Sequence, residues 1–187
     1  ARDLVTKMQA FGRVGDAQLQ LHVLAPLIQE SLNTFASSLP DGIDVILDLD
    51  DGLSVMTNQP KFDQAIMNLC LNARDAMDGG GRIEVSAKQV KDVELECSSC
   101  HERVKGDYVE VSVSDQGSGI KAEHLDQLFV PFFTTRDVGR GTGMGLSMVH
   151  GIMHEHGGHI VVASTPGEGS RFSLLFPATD AGDEVES

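Results

Sequence analysis

Three groups of residues have the types and spacing to do chemistry. Within PKFDQAIMNLCLNARDAM, Asn68 and Asn72 stand four residues apart and Asp75 three further on, so on a helix the three share a face. Asparagine is a mediocre helix former. Carboxamide oxygens beside a carboxylate suit Mg²⁺, which takes oxygen donors, keeps several waters and completes its shell with substrate phosphates. In PFFTTRDVGRGTGMGL, Gly139, Gly141, Gly143 and Gly145 recur at every second position and a helical pattern follows at once. Glycines there let the backbone approach an anion, which the free N–H groups and positive end of the next helix would hold. Arg136 and Arg140 lie in the same loop, and guanidinium groups match phosphate oxygens. Asp115 precedes a turn with Gly117 and Gly119. A carboxylate there can accept a hydrogen bond from an exocyclic amine such as that of adenine, with the glycines leaving room for a ring. Taken singly, each group also has an ordinary explanation: a solvated helix face, a surface loop, a turn aspartate. The chain contains no Gly-Lys-Ser or Gly-Lys-Thr P-loop and no GxGxxG pattern.

The elements that must position these groups follow from periodicity. Leu4, Val5, Met8 and Phe11 are spaced as the tail of a helix that stops at Gly12 and Gly15. A second helix is expected from Pro26 to Ser38, with Pro26 suited to its first turn and Pro40 barring continuation. Ile43, Val45, Leu47 and Leu49 alternate with Asp44, Asp48 and Asp50, as in a strand with one wet face. From Pro60, at about 100° per residue, Phe62, Ile66, Leu69, Ala73 and Met77 gather opposite the Asn68, Asn72 and Asp75 stripe. The strands RIEVSA and DYVEVSVS follow, separated by Lys91 to Gly106, and the second runs into Asp115. A short helix from Lys121 to Phe129, a helix from Leu146 to His156, and two strands, HIVVAS and RFSLLF, around the turn TPGEG complete the chain. The expected fold is α+β: a two-layer α/β sandwich whose mixed, mostly antiparallel sheet is covered on one face by helices.

Composition narrows the function classes. In 187 residues, 14 Lys and Arg face 28 Asp and Glu, a net charge of −14, which argues against nucleic acid as a partner, because phosphate neutralisation supplies most of such affinity. With 41% hydrophobic residues the chain can bury the core of one domain. No apolar run approaches the roughly 18 residues of a membrane span, so direct membrane insertion is not expected. The start at Ala1, without Met or a signal-peptide shape, reads as a soluble piece of something longer. Three cysteines argue for a reducing, cytoplasmic setting, even where a parent protein is membrane-anchored.

In register along the chain, NLCLNARDAM resembles the N box, DQGSGI the first glycine box, LFVPFFTT the F box and GRGTGMGLSM the second glycine box of the sensor histidine kinases. These belong to the GHKL, or Bergerat, superfamily, whose ATP-binding fold is shared with gyrase B, the mismatch-repair ATPases and the large heat-shock chaperones. HGGHIVVASTPGEGSRFSLLFP resembles the end of that domain, and DLVTKMQAFGR the end of the second helix of the kinases' dimerisation and phosphoacceptor domain. The resemblance spans about Leu39 to Pro177 and implies three segments: 1–20 as helix end and linker, 21–178 as the ATP-binding catalytic domain, and 179–187 as a disordered acidic tail. It implies ATP and Mg²⁺ as ligands. By the same resemblance Asn72 would bind Mg²⁺, with Asn68 and Asp75 supporting the phosphate and metal side. Asp115 would take the adenine amine, and Gly117, Gly119 and Ile120 would shape the base pocket. Phe132, Phe133, Thr134 and Thr135 would belong to a mobile lid, and Gly141, Thr142, Gly143, Met144, Gly145 and Leu146 to the phosphate cradle. Arg136 and Arg140 are candidates for lid contacts to phosphate.

One departure separates relatives. The ATPases of this fold place a glutamate, as base for water, where this chain has Asn68, and a carboxamide cannot take a proton at neutral pH. An accepting imidazole brings its own nucleophilic nitrogen, so a kinase is favoured over an ATPase. His22, followed by Val23 and Leu24, does not fit the family's phosphoacceptor and reads as a surface or linker histidine. The implied partners are therefore the parent's dimerisation and phosphoacceptor helical domain and a response-regulator receiver domain. The alternatives are an ATP-dependent conformational clamp and a nucleotide-regulated binding module.

Other residues invite chemistry without belonging to these groups. Cys97, Cys100 and His101 spell CxxCH, which reads as half a zinc site, a haem attachment or a redox pair, with no fourth zinc ligand nearby. Cys70 falls on the apolar side of its helix. His150, His154, His156 and His159 read as structural, with a partial positive charge on His156 suiting a helix end. Tyr108 and the phenylalanines other than Phe132 and Phe133 read as core.

Overall fold

The computed structural model of the chain describes residues 18–135 and 143–179. The helix expected over the first dozen residues, the tail from residue 180, and Arg136, Arg140, Gly141 and Thr142 lie outside the described residues.

The strand β1 (Gln20–Val23) leads directly into α1 (Leu24–Ser37), which starts two residues before Pro26. Pro26 therefore sits in the first turn, where an N–H has no intrahelical acceptor and its loss is harmless. Leu24, Leu27, Ile28, Leu32 and Phe35 bury one face of α1. Two edge-type strands follow, β2 (Ile43–Leu49) and β3 (Ser54–Thr57). The short strands β1 and β3 pair antiparallel, His22 opposite Val55, into a separate two-stranded sheet that the periodicity did not foretell.

The helix α2 (Gln59–Ala76) is opened by Asn58, whose Oδ1 accepts the Lys61 N–H at 3.2 Å, with Pro60 just inside. Phe62, Ile66, Leu69 and Ala73 are buried along it as expected, together with Ala65 and Cys70. Met77 caps its end, also buried. The Phe62 and Phe176 rings meet at 5.9 Å between centroids.

A five-stranded sheet carries the rest: β4 (Gly81–Glu96), β5 (Arg103–Asp115), β6 (His159–Thr165) and β7 (Gly169–Pro177) join β2 in the order β2-β4-β5-β7-β6. The pair β2 and β4 is parallel and the other pairs are antiparallel. Val109, Val111 and Val113 of β5 point into a core shared with the helices, and Asp115 continues the same alternation to the strand's end. The remaining helices are α3 (Ala122–Leu125), shorter than expected, and α4 (Gly145–Glu155). α2 packs against both α1 and α4 and over β4, β5 and β7, giving the two-layer α+β arrangement expected.

Two expectations change. Lys91 to Gly106 is not a separate connection: β4 and β5 keep pairing from Val93↔Gly106 to Glu96↔Arg103, beyond a bulge between Val90 and Val93. The wet and dry faces of β2 are also less cleanly divided than its sequence suggests, because an edge position leaves Ile46 38% and Leu47 39% exposed.

Candidate functional site

Four elements converge on one cavity of about 730 Å³: the outer face of α2, the turn after β5, the segment around α3 and the start of α4. The helical period places Asn68, Asn72 and Asp75 on the cavity side while Phe62, Ile66 and Leu69 hold α2 to the core. Asp115, Gly119, Ile120, Phe133, Thr134, Thr135, Gly143, Gly145 and Leu146 also line the cavity. Twelve of the residues singled out from sequence therefore meet in one place, although they come from segments as far apart as Asn68 and Leu146.

Asp115 is buried at its inner end, 9% exposed. Its Oδ1 accepts the Gly117 N–H at 2.9 Å. Burial pushes its carboxyl above the ordinary range, and the N–H groups of Gly117 and Ser170 pull it partly back. A half-satisfied carboxylate in such a place is suited to accept from an amine donor. Across the cavity, Asn68 Nδ2 donates to Gly145 O at 3.3 Å, tying α2 to the first residue of α4 and leaving the carboxamide oxygen as its acceptor. Among the described residues no side chain caps the α4 N-terminus, and the first N–H groups of a helix are the kind of donors that hold an anion. Arg74 holds Asp75 at 3.0 Å. The oxygen donors of Asn68, Asn72 and Asp75 on one helical face fit a Mg²⁺ ion that shares phosphate ligands.

Gly117, Phe132 and Met144 do not line the cavity. Gly117 lies behind it: a Cβ there would come within 2.5 Å of Ala76 O, and one on Gly119, at φ 69°, within 2.2 Å of Thr165 O. These glycines let the turn pass between the end of α2 and the β6–β7 hairpin, so close packing, more than room for a ring, is what demands them. Phe132, 64% exposed at φ 68°, donates its N–H to Gly143 O at 2.9 Å, fastening the segment before the undescribed residues to the one after them. Met144 caps α4, and its carbonyl accepts from Ser147 Oγ and Met148 N.

Sequence reasoning missed Lys121 and His124, which add basic side chains to the cavity, and the apolar wall of Leu71, Leu128 and Phe172. Only their nearness to the DQGSGI turn could have flagged the first two.

The side readings resolve differently. Cys70 is fully buried, and burial raises its thiol to about 12. His101 turns to Glu96 at 3.1 Å, and the third donor beside Cys97 and Cys100 is His159 instead, with donor atoms within 4.8 Å of one another. Burial of Cys97 opposes ionisation, but hydrogen bonds from Ser99 and from the N–H groups of Ile160, Cys100 and Ser99 outweigh it and bring the thiol down to about 6. Cys100 moves the other way, raised chiefly by burial and further by its neighbour Cys97. His156 is buried, and burial lowers its pKa, so the positive charge expected at that helix end is not there. Tyr108 is only half-buried and packs in a small apolar cluster apart from the main core.

Residues 57–180 match the family described as histidine kinase-, DNA gyrase B- and HSP90-like ATPase. The chain is 35% identical over 180 residues to sensor kinase CckA of Brucella abortus, covering 95% of this chain and 19% of that protein. It is 39% identical over 123 residues to sensor histidine kinase ZraS of Escherichia coli K12, covering 66% of this chain and 23% of that one. The chain thus spans roughly a fifth of the length of these relatives. Among solved structures, the catalytic domain of histidine kinase ThkA superposes with a TM-score of 0.70 at 28% identity, over 87% of this chain and 97% of that domain.

Proposed function

Since the chain belongs to the histidine kinase-, DNA gyrase B- and HSP90-like ATPase family, as an ATP-binding catalytic domain of the sensor-kinase type, we propose that it binds Mg-ATP and passes the γ-phosphoryl group to a histidine on a separate helical domain. The observation that carries this reading is the single cavity that joins Asp115 to the Asn68, Asn72 and Asp75 face and to the start of α4 at Gly145 and Leu146.

Each residue then has a task. Asp115 accepts the adenine amine at the buried end, with Ile120, Leu128 and Phe172 against the ring. The α4 N-terminus and the Gly143 to Leu146 segment hold phosphate oxygens, helped by Lys121. Asn72, supported by Asn68 and Asp75, would hold the Mg²⁺, which neutralises phosphate charge when bound. Thr134, Thr135 and Phe133 close the phosphate side, where Arg136 and Arg140 are further candidates. The lone pair of the acceptor imidazole attacks phosphorus, and ADP leaves with the electrons of the broken P–O bond. No protein base is needed, and position 68 holds none. Catalysis is positioning and charge neutralisation.

His22 lies in β1, half-buried and paired with Val55, so it is no candidate acceptor. The acceptor comes from the parent's dimerisation and phosphoacceptor domain, and the phosphoryl group goes on to a receiver domain, all on the cytoplasmic side. Residues 1–20 form the link to that helical domain, 21–178 the catalytic domain, and 179–187 a tail. Among the described residues no helix is long and apolar enough to cross a membrane.

Calorimetry with a non-hydrolysable ATP analogue, with and without Mg²⁺, followed by transfer to an added phosphoacceptor domain, tests the proposal. Mg²⁺-dependent binding and an acid-labile phosphohistidine are expected. Binding without transfer would point to a regulatory module, and sustained hydrolysis by this chain alone to a clamp.

A further inference from the structure

The tip of the β4–β5 hairpin closes the free edge of the sheet. Among the described residues β6 is outermost in the strand order, with no strand beside one row of its backbone groups. At the bulge, Asp92 takes φ 50° and donates its N–H to Asp107 Oδ1 at 2.9 Å. The hairpin then runs past Pro177, the end of β7, and its tip meets β6. There the Ser98 N–H donates to Ile160 O at 2.8 Å, the Val162 N–H to Ser98 Oγ at 3.0 Å and the Ile160 N–H to Cys97 Sγ at 3.5 Å. Beneath this contact Cys97, Val104 and Leu175 form an apolar cluster of their own.

This docking gathers two thiols and an imidazole. The donor atoms of Cys97, Cys100 and His159 all lie within 4.8 Å of one another, and Cys100 Sγ is 3.9 Å from His159 Nδ1. Cys97 is fully buried and the other two are half-buried, with the Tyr108 ring set edge-on to His159 at 6.2 Å. Two cysteines three residues apart on a hairpin tip, with a histidine from another strand, are a sulfur-rich set without carboxylate. Zinc takes such donors tetrahedrally, whereas Mg²⁺ and Ca²⁺ want oxygen. A small inward movement of the three side chains brings sulfur and nitrogen to the zinc distances of about 2.3 and 2.1 Å.

We propose that Cys97, Cys100 and His159 bind one zinc ion, with water as fourth ligand, and that the ion pins the hairpin tip to β6. The site is independent of the nucleotide reading, since Tyr108, whose ring meets His159, precedes Asp115 by seven residues along β5, on the order of 20 Å of strand. A disulfide between Cys97 and Cys100 is the rival use of the same sulfurs, and it would leave His159 without a role.

The test is metal titration of the whole chain, stripped with chelator under reducing conditions, using Zn²⁺ against a chromophoric chelator and, separately, Co²⁺. One equivalent of zinc, a tetrahedral cobalt spectrum with a thiolate charge-transfer band, and a melting temperature lowered by chelator are expected. Cys100→Ser and His159→Gln should each weaken zinc more than about tenfold and abolish the chelator effect, while His101→Gln changes neither. Cys97 is left alone because its burial makes misfolding a competing outcome, and circular dichroism confirms that the tested variants are folded. Absence of stoichiometric metal, a cobalt spectrum without thiolate, equal losses in His101→Gln and His159→Gln, or a Cys97–Cys100 disulfide in metal-free protein isolated without reductant would each overturn the proposal.

Discussion

His156 Nε2 lies 2.8 Å from the Thr57 hydroxyl, joining the end of α4 to the last residue of β3. On its other side Nδ1 meets Ile152 O at 2.6 Å, and the Asn58 N–H reaches Nε2 at 3.3 Å. The carbonyl requires a proton on Nδ1 and the amide requires a lone pair on Nε2, so the ring is neutral. Burial is the main cause of its lowered pKa, with Lys61 in the same sense and the Ile152 carbonyl and Glu155 opposing.

This neutrality has a definite acid signature. A histidine whose folded pKa is lowered gives its full stabilisation above the unfolded value of 6.5 and loses it as pH falls through the folded value. Urea unfolding above and below that range should therefore show a stability loss on acidification that is smaller in His156→Gln. His156→Ala should cost about 2–3 kcal/mol at neutral pH, from lost packing and orphaned partners. A wild type and variant with parallel pH profiles would mean that His156 does not bear this role.

Asp115→Asn separates binding from folding. The amide oxygen can still accept the Gly117 N–H, but the amide cannot offer a charged acceptor for the proposed contact with adenine's amine. Nucleotide affinity should fall about ten- to a hundredfold, matching roughly 1.5–3 kcal/mol for a hydrogen bond to a charged group. Stability should move the other way with pH. A raised carboxyl is a penalty that is absent below the ordinary value of 3.8, grows as pH rises through the folded pKa and is constant above it. The stability of wild type relative to Asp115→Asn should decline across that window, as followed by thermal unfolding at a series of pH values.

Gly117→Ala tests whether this glycine answers to packing. Its Cβ would meet the Ala76 carbonyl oxygen at 2.5 Å and carbon at 2.7 Å, backbone that cannot give without moving the end of α2. Gly167, at φ 81° in the β6–β7 turn, has nothing within 4 Å of its Cβ position and serves as control. Gly117→Ala should cost about 2–4 kcal/mol and Gly167→Ala about 1 kcal/mol from backbone strain alone, measured by chemical denaturation.

How much of this could be read in advance depends on the distance over which each feature is decided. The α2 stripe was legible because one helical period sorts Phe62, Ile66 and Leu69 from Asn68, Asn72 and Asp75 within a single segment. Asp115 was legible because Val109, Val111 and Val113 set its phase at the strand end. The β1–β3 sheet was not, since four-residue strands pair only with each other, Gln20 opposite Thr57, and neither carries a period of its own. His159 was missed beside Cys100, and His101 offered in its place, because the hairpin tip brings together residues 59 positions apart. The role of His156 was misjudged for the same reason: its partner Thr57 is 99 residues away.

Asn68 and Asn72 lie one turn apart on α2 and should fail differently. On the proposed role of Asn72 in holding Mg²⁺, affinity of Asn72→Ala for the ATP analogue should drop at least about tenfold with Mg²⁺ present and little without it. Asn68→Glu places a proton acceptor where the chain has a carboxamide. Steady ATP hydrolysis should then rise by about a hundredfold, the lower end of what a positioned base contributes. The same change removes the donor that Asn68 Nδ2 offers to Gly145 O and sets a carboxylate against that carbonyl. Stability should fall by about 1 kcal/mol or more, and phosphoryl transfer to an added phosphoacceptor domain should decline as α4 loses its tie to α2. Hydrolysis that stays at the wild-type level in a folded, nucleotide-binding Asn68→Glu would mean that this side chain does not face the attacking water and that position 68 does not separate kinase from ATPase.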